Sequence, residues 1–414
     1  MHQKIQDKKS LTTISKNKKP TRMIIKTAKR ITTTKPALAF DVLVQIFFHV
    51  AGITSNDHTE IFEYSVYQDL YSCLLVSRAW AQAVVPILWS QPIRKYHPQQ
   101  NLKVLSVYLA SLDVIQRGLL KTSGIDIDVK PSTSTKQKSH PAMKLAYARH
   151  IKHLNYGALI DCCRNFCKKH CAKRGQSNDS YLLLIKTVLQ LFAKEGARLK
   201  VLQLYPGVNR YQRGMYTPLT VYKDVHCLLR DVKHLELCGS FDGGDNEVQA
   251  LTSICSKVEH ITVRYFSSII DQWLGLHAYI HKKSNASVFL IQSQKHLKSL
   301  TLQNCHLYNN EQLCAAILTQ KSTLQHVTLK EIDFNEKPLM FTALAECTNL
   351  KTLTLSSCRG LTSPDMISPL SKPAFEKLQH VRVVPKRDSC LPGGEHSKIC
   401  KEFKMWANMK TRAI

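Results

Sequence analysis

Apolar residues return in one short pattern along the second part of the chain. From residue 151 onward, a six-residue phrase carries apolar side chains at its first, fourth and sixth positions. The phrases are IKHLNY (151–156), LKVLQL (199–204), VKHLEL (232–237), VEHITV (258–263), LKSLTL (297–302), LQHVTL (324–329), LKTLTL (350–355) and LQHVRV (378–383). The last apolar positions alternate with polar ones, which is typical of a β-strand. Segments with helix-like patterns, such as Glu311–Thr319 and Val248–Cys255, lie between phrases, so the pattern predicts an α/β fold with parallel strands.

The spacing of the phrases predicts a stacked array. Successive phrases from residue 297 start 27, 26 and 28 residues apart, and the interval from 232 to 258 is 26. The remaining intervals of 48, 33 and 39 residues are consistent with insertions in loops. A period in the twenties is the signature of a solenoid, in which each strand–helix unit buries its apolar face against its neighbours.

A different pattern precedes the array. Leu43, Ile46, Phe47 and Val50 have the i, i+3, i+4, i+7 spacing of one helical face. The following segment predicts two more short helices. The first of these carries Leu70, Cys73 and Leu74 on one face. The second is expected to have Ser77 as its N-cap, to run from Arg78 to about Val85 and to stop at Pro86. Three short helices bury little surface by themselves, so this segment is expected to need support, for example from the apolar groove of a partner.

Two of the phrases extend to a longer motif. LKSLTLQNC (297–305) and LKTLTLSSC (350–358) both follow L-x-x-L-x-L-x-x-C, and in this respect the chain resembles leucine-rich-repeat proteins from residue 151 to about 390. Ile332 and Phe266 occupy the cysteine position in other units. The resemblance implies a solenoid with parallel strands on its concave side and helices on its convex side.

The helical segment resembles an F-box. The family pattern is L-P-x-E-[IVL]-L-x-x-I-[FL], a connection, D-L-x-x-[CL]-x-x-V-[SC]-[KR]-x-W, and a closing L-W. Its positions are matched by Leu38, Asp41, Val42, Leu43, Ile46, Phe47, Asp69, Leu70, Cys73, Val76, Ser77, Arg78, Trp80, Leu88 and Trp89. Ala39 replaces the usual proline, and the connection is enlarged by Ala51–Gln68.

The two resemblances together imply a non-catalytic substrate-recognition subunit of an SCF-type ubiquitin ligase. The implied partners are a Skp-type adaptor and, through it, a cullin and a RING subunit, together with an unknown protein substrate. The residues implied to bind the adaptor are Leu38, Val42, Leu43, Ile46, Phe47, Leu70, Leu74, Val76 and Trp80. Trp89 is expected to fasten the helices to the following repeats.

The domain organisation follows from these segments. We expect a disordered basic tail (1–36), an F-box (37–92), a helical connector with a low-complexity loop (93–148), and leucine-rich repeats with a C-terminal cap (149–414). The low-complexity loop is Lys130–Pro141.

On each repeat strand, the third, fifth and seventh phrase positions alternate with the buried ones and would face the concave surface. The candidate substrate-binding residues at these positions are Tyr205, His234, Glu236, His260, Thr262, Arg264, Thr301, Gln303, His326, Thr328, Lys330, Thr352, Thr354, His380 and Arg382. Histidines together with Arg264, Lys330 and Arg382 would suit an acidic or phosphorylated substrate. A merely tolerated, solvated polar strand face is the alternative interpretation.

The charge of the chain leaves a second function open. The net charge is +28, and residues 1–36 contain eleven Lys and Arg against one acid, Asp7. A basic leucine-rich-repeat scaffold that binds nucleic acid or chromatin, without a ligase role, is the alternative. Nucleic acid is the less expected partner because no recognisable module interleaves aromatic residues with the charge.

The chemistry of the cysteines predicts no cofactor. Fourteen cysteines without a secretory pattern indicate reduced thiols and a cytoplasmic and/or nuclear protein, and no membrane span is expected. The dense set Cys162, Cys163, Cys167, His170 and Cys171 spreads along a helix, where Cys163 and Cys171 would be about 12 Å apart. Zinc needs its ligands within roughly 4 Å of one another, so a buried cysteine stripe is expected there rather than a metal or a catalytic site.

Overall fold

The structure is a computed structural model that describes residues 40–51, 64–94, 97–127, 146–171, 177–204, 217–238, 245–264, 286–304, 310–334, 339–358 and 378–384. All of them belong to one structural unit, Phe40–Ile414. The predicted tail, the Lys130–Pro141 loop and the C-terminal cap lie outside the described residues, as do the candidate site residues Leu38 and Tyr205.

Twelve α-helices are present in the described part of the chain. They are α1 (Phe40–Val50), α2 (Tyr64–Cys73), α3 (Arg78–Leu88), α4 (Pro98–Ala110), α5 (Val114–Thr122), α6 (Tyr156–His170), α7 (Ser177–Lys194), α8 (His226–Leu229), α9 (Asp245–Ile254), α10 (Ala286–Ser293), α11 (Asn310–Thr319) and α12 (Leu339–Ala345). Short 3-10 helices occupy Tyr147–His150, Leu219–Val221 and Lys223–Val225.

The eight phrases form one parallel sheet. Its strands are β1 (His153–Asn155), β2 (Val201–Leu204), β3 (His234–Cys238), β4 (His260–Arg264), β5 (Ser299–Gln303), β6 (His326–Lys330), β7 (Thr352–Ser356) and β8 (His380–Val384). Their order in the sheet is their order along the chain. The third phrase positions pair across every junction, from His153 with Val201 to Thr352 with His380. The prediction of an α/β fold with parallel strands is therefore confirmed.

The alternation within each phrase decides which side of the sheet the core occupies. In the phrases of β1–β7 the fourth and sixth positions, such as Leu300 and Leu302 of β5, are buried in a core that also contains Ile291 of α10 and Ile317 of α11; in β8 they are half-buried. The third, fifth and seventh positions lie on the opposite side, which is called the polar face below. One face of the sheet thus packs against helices and the other presents polar side chains.

The helices α1–α3, called the helical unit below, have a small core of their own. It consists of Leu43, Phe47, Ala51, Leu70, Ala83, Val84, Ile87 and Leu88. The Ser77 hydroxyl accepts a hydrogen bond from the backbone N–H of Trp80 at 3.2 Å, which caps α3 as expected. The expectation that this helix stops at Pro86 is wrong, because α3 continues to Leu88. Ile87 and Leu88, the last two residues of α3, are buried in the core of the helical unit, and this burial outweighs the loss of the backbone hydrogen bond that proline cannot make.

Trp89 connects the two cores. Its side chain packs against the helical unit and against the main core that contains the sheet. The indole stacks on Tyr147 with ring centroids 4.3 Å apart and meets the ring of Tyr108 edge-on at 5.5 Å. The aromatic surface at the end of α3 is thus used within the chain, at the junction with the array.

Candidate functional site

The helical unit carries apolar side chains that its own core does not cover. Val42, Ile46 and Val50 recur every four residues and are exposed, so they share one face of α1. Beyond α2, Leu75 is 85% exposed and Val76 is 59% exposed. With Phe40 and Tyr71 included, we call these residues the exposed apolar set: Phe40, Val42, Ile46, Val50, Tyr71, Leu75 and Val76. Exposed apolar side chains gathered on one small unit are a common mark of a protein-binding surface.

The structure divides the predicted adaptor-binding residues into two groups. Val42, Ile46 and Val76 belong to the exposed apolar set. The others pack internally: Leu43, Phe47 and Leu70 are buried, while Leu74 and Trp80 are half-buried against the same core. Trp80, for example, places its ring edge-on to Phe47 at 5.2 Å. The assignment of the buried group to a docking surface is corrected here, because a helical face that forms the core of the unit is not available to a partner.

The predicted adaptor-binding residues do not include four members of the exposed apolar set, namely Phe40, Val50, Tyr71 and Leu75. Val50 is predicted only as part of the apolar face of the first helix, with Leu43, Ile46 and Phe47. The apolar face predicted for the second helix includes Leu74 but not the adjacent Leu75. For Leu75 a signal was present, because an apolar residue outside the periodic face projects away from the core.

On the polar face, strands β1–β4 hold a closed hydrogen-bond network. Asn155 Nδ2 donates to Gln203 Oε1 at 3.0 Å, and Gln203 Nε2 donates to Glu236 Oε2 at 2.6 Å. Arg264 Nε lies 3.0 Å from Glu236 Oε1, so the buried carboxylate has a cationic partner. The amide groups of Asn155 and Gln203 and the carboxylate of Glu236 are thus engaged with one another across neighbouring strands, which makes them less available to a ligand.

The predicted neighbours His234 and His260 pair in register and stack with ring centroids 5.9 Å apart. His234 Nε2 and Thr262 Oγ1 are 3.3 Å apart, within hydrogen-bond distance. His234, Glu236, Thr262 and Arg264 thus make contacts within the sheet itself, and their placement supports a structural role rather than a free binding surface.

Strands β5–β8 present a more open surface. The candidate residues there are half-buried or exposed: Thr301, Gln303, His326, Thr328, Lys330, Thr352, Thr354, His380 and Arg382. Their fifth positions are in register, so Thr301, Thr328, Thr354 and Arg382 form one row across four strands. Partial burial, with a smaller contribution from Lys351, lowers the pKa of His326 below its ordinary value.

A row of lysines along the sheet edge was also overlooked. The second phrase position precedes each strand, and it is lysine in five of the eight phrases: Lys152, Lys200, Lys233, Lys298 and Lys351. We call these residues the lysine edge. The backbone carbonyl at this position accepts two N–H groups from the next unit, for example those of Lys200 and Val201 at Lys152, which aligns the side chains.

Glu259 occupies the second position of the fourth phrase and interrupts the lysine edge. Its carboxylate lies 2.7 Å from the ammonium groups of both Lys233 and Lys298. Hydrogen bonds from these two lysines lower the pKa of Glu259 to about 2. The lysine edge is therefore a cationic row with one internal acid. It could have been predicted from the sequence, because lysine recurs at the second phrase position.

The cysteine-rich segment forms part of the core. Cys162, Cys163 and Cys167 are buried on α6, and Cys171 is half-buried after it. Burial, together with Asp161, raises the pKa of Cys162 to about 12, so its thiol is protonated and a poor nucleophile. No group of three or more His, Cys, Asp or Glu side chains in the described ranges could hold a metal ion.

These observations define an α/β protein with an eight-stranded parallel sheet and three candidate binding surfaces: the exposed apolar set, the polar face of β5–β8 and the lysine edge. None of the described helices combines the length and the apolar character needed to cross a membrane. No protein-family model matches the chain, and no curated protein matches it.

Proposed function

We propose that this protein is the substrate-recognition subunit of an SCF-type ubiquitin ligase. In this proposal the helical unit is an F-box that binds a Skp-type adaptor, and the array behind it is a leucine-rich-repeat domain that holds the protein to be ubiquitinated. The observation that carries the proposal is the exposed apolar set, which includes the F-box-like positions Val42, Ile46 and Val76. These side chains have the chemistry of helix-in-groove anchors, and they become desolvated only when a second polypeptide covers them.

The geometry of the sheet supports the repeat part of the proposal. The residue that follows each of β5, β6 and β7 has a left-handed backbone: Asn304 with φ 53°, Glu331 with φ 57° and Ser357 with φ 55°. Two positions after Lys330, Ile332 is buried at the position where the repeat motif has cysteine. A turn that recurs at one phrase position, followed by an inward residue, is what stacked copies of one strand–turn unit would produce.

The proposed mechanism is tethering. The adaptor links the F-box to a cullin and a RING subunit, while the array holds the substrate close to a separately charged conjugating enzyme. Transfer then gains from effective concentration and needs no catalytic group on this chain. The partners and a cytoplasmic and/or nuclear location are part of the proposal.

The lysine edge favours a second candidate function. The lysines of this edge, of which Lys233 and Lys298 are paired with Glu259, could neutralise the phosphates of a nucleic acid, as expected for a basic scaffold without a ligase role. The two functions differ in the role of the exposed apolar set. Adaptor binding requires these side chains, whereas nucleic-acid binding through the lysine edge does not.

Co-purification with a Skp-type adaptor tests the proposal. Leu75→Asp combined with Val76→Asp places two charges in the exposed apolar set without entering the core of the helical unit. Val114→Asp combined with Ile115→Asp is the matched control, because these residues of α5 are 86% and 77% exposed outside that set. Wild type and the control variant should retain the adaptor, and the Leu75/Val76 variant should lose it. Thermal melting should be similar for all three proteins, since exposed positions contribute little to stability.

Two results would contradict the proposal. One is failure of the wild-type chain to bind the adaptor. The other is binding of the adaptor by both double variants as well as by wild type. In the first case, double-stranded DNA binding that weakens steeply with salt would favour the scaffold function.

A further inference from the structure

The two halves of the polar face differ in what their side chains leave available. On β1–β4, the donors and acceptors of Asn155, Gln203 and Glu236 are paired with one another, and Arg264 pairs with the carboxylate of Glu236. On β5–β8, the hydroxyl groups of Thr328 and Thr354 make no hydrogen bond to another residue in the described part of the chain. The second half therefore offers threonine hydroxyls to a ligand, whereas the polar groups of Asn155, Gln203 and Glu236 in the first half are already paired.

The charge of the second half has one sign. The third, fifth and seventh positions of β5–β8 include no aspartate or glutamate: Ser299, Thr301, Gln303, His326, Thr328, Lys330, Thr352, Thr354, Ser356, His380, Arg382 and Val384. Lys330 and Arg382 are its permanent cations. Glu331, just beyond β6, lies 4.0 Å from the Lys330 ammonium, and both groups are well exposed, so this pair is weak. The exposed guanidinium of Arg382 has no carboxylate partner within the described ranges.

Distance and shape favour a peptide. Adjacent strands lie about 4.8 Å apart, so the row from Thr301 to Arg382 spans roughly 14 Å, about the length of four or five extended residues. Nucleic acid fits less well, because the twelve outward positions of β5–β8 include no Phe, Tyr or Trp on which bases could stack. A guanidinium next to a row of hydroxyls instead matches a carboxylate or a phosphate group.

We infer that the polar face of β5–β8 binds an acidic or phosphorylated peptide segment, with Arg382 and Lys330 as its cationic contacts and the row of threonines as hydrogen-bond donors. Strands β1–β4 act as a closed support for this face. The inference rests on the proposed function only where it makes that segment part of the ubiquitinated substrate.

Binding of labelled peptides to the full chain tests the inference by fluorescence anisotropy. The probes are an oligoglutamate peptide, a phosphoserine peptide and its unphosphorylated form, with oligothymidine as competitor. Arg382→Gln combined with Lys330→Gln should weaken binding of the anionic peptides about tenfold or more, because charge-assisted hydrogen bonds are lost. Thr354→Val, which keeps the charge and shape, should weaken it about threefold or more.

The matched control is Lys152→Gln combined with Lys200→Gln, which removes the same charge from the lysine edge at the other end of the sheet. This variant should change the affinity less than about twofold. Tighter binding of the phosphoserine peptide than of oligoglutamate would identify phosphate as the recognised group, and the reverse order would identify carboxylate; either result supports the inference.

Three results would overturn the inference. They are no binding of either anionic peptide to the wild-type chain, equal weakening by the two double variants, and displacement of the peptides by oligothymidine at equal affinity. Adaptor co-purification is measured separately, with substitutions in the helical unit. Peptide binding without adaptor binding would therefore refute the proposed function alone, and adaptor binding without peptide binding would refute this inference alone.

Discussion

His153 should make the stability of the fold depend on pH between about 4 and 6.5. Its imidazole is 6% exposed on β1. Burial lowers the pKa of His153 from its ordinary 6.5 to about 4; a hydrogen bond with Gln203 opposes the shift, and the nearby charge of Arg94 adds to it. The folded protein therefore keeps this imidazole neutral at pH values where the unfolded chain binds a proton.

The size of the effect follows from the shift. Each unit of difference between the folded and unfolded pKa corresponds to about 1.4 kcal/mol, so the shift of His153 amounts to roughly 3 kcal/mol. Because the folded pKa is the lower one, the stabilisation is complete above the unfolded value. It is lost as the pH falls from about 6.5 to about 4, where the folded state also becomes protonated.

Urea unfolding followed by tryptophan fluorescence measures this loss. The variant His153→Gln keeps a hydrogen-bonding side chain next to Gln203 but cannot titrate. His150 and His170, whose pKa values are also lowered by burial, are present in both proteins and cancel in the comparison. Between about pH 7 and pH 4.5, wild type should lose about 2 to 3 kcal/mol more unfolding free energy than the variant does. Parallel pH profiles for the two proteins would refute the reasoning.

Three further predictions concern stability, two through packing and one through backbone conformation. Leu70→Ala should cost about 2–5 kcal/mol of unfolding free energy and Leu75→Ala less than about 0.5, since only Leu70 is buried; equal melting temperatures would contradict this. Trp89→Ala, which removes the stack on Tyr147, should cost about 3–5 kcal/mol and lower hydrogen-exchange protection in the helical unit, and unchanged protection would show that Trp89 does not couple the two cores. Glu331→Asn should raise the unfolding free energy in urea by about 0.5–1 kcal/mol, because asparagine tolerates the left-handed backbone at φ 57°, whereas a decrease would indicate that Glu331 makes a stabilising contact.

The periodic part of the fold could be predicted from the sequence. Each phrase has its own apolar alternation, and identical phrase positions stack when units repeat, so the strands, their order and the pairing of His234 with His260 follow from the pattern. The cap at Ser77 is equally local, because the Ser77 hydroxyl accepts a hydrogen bond from the backbone N–H of Trp80, three residues further along the chain. The end of α3 at Leu88 was not predictable in this way, because packing of the helical unit outweighs the cost of Pro86.

The candidate binding surfaces depended on tertiary structure. The sequence identified Leu43, Ile46 and Val76 as apolar positions, but their exposure depends on which face of α1 the other two helices cover. In the same way, Glu236 and Arg382 occupy the same phrase position in different units, and only the neighbouring strands decide that one is paired and buried while the other is exposed.

The sequence by itself therefore determined the repeated strands, the repeat register and the chemistry available at each position, because these follow from a short pattern that recurs along the chain. Only the tertiary structure decided which of those side chains remain accessible to a partner. Burial and hydrogen-bond pairing depend on residues that are distant in the chain and adjacent in space, such as Asn155 and Gln203.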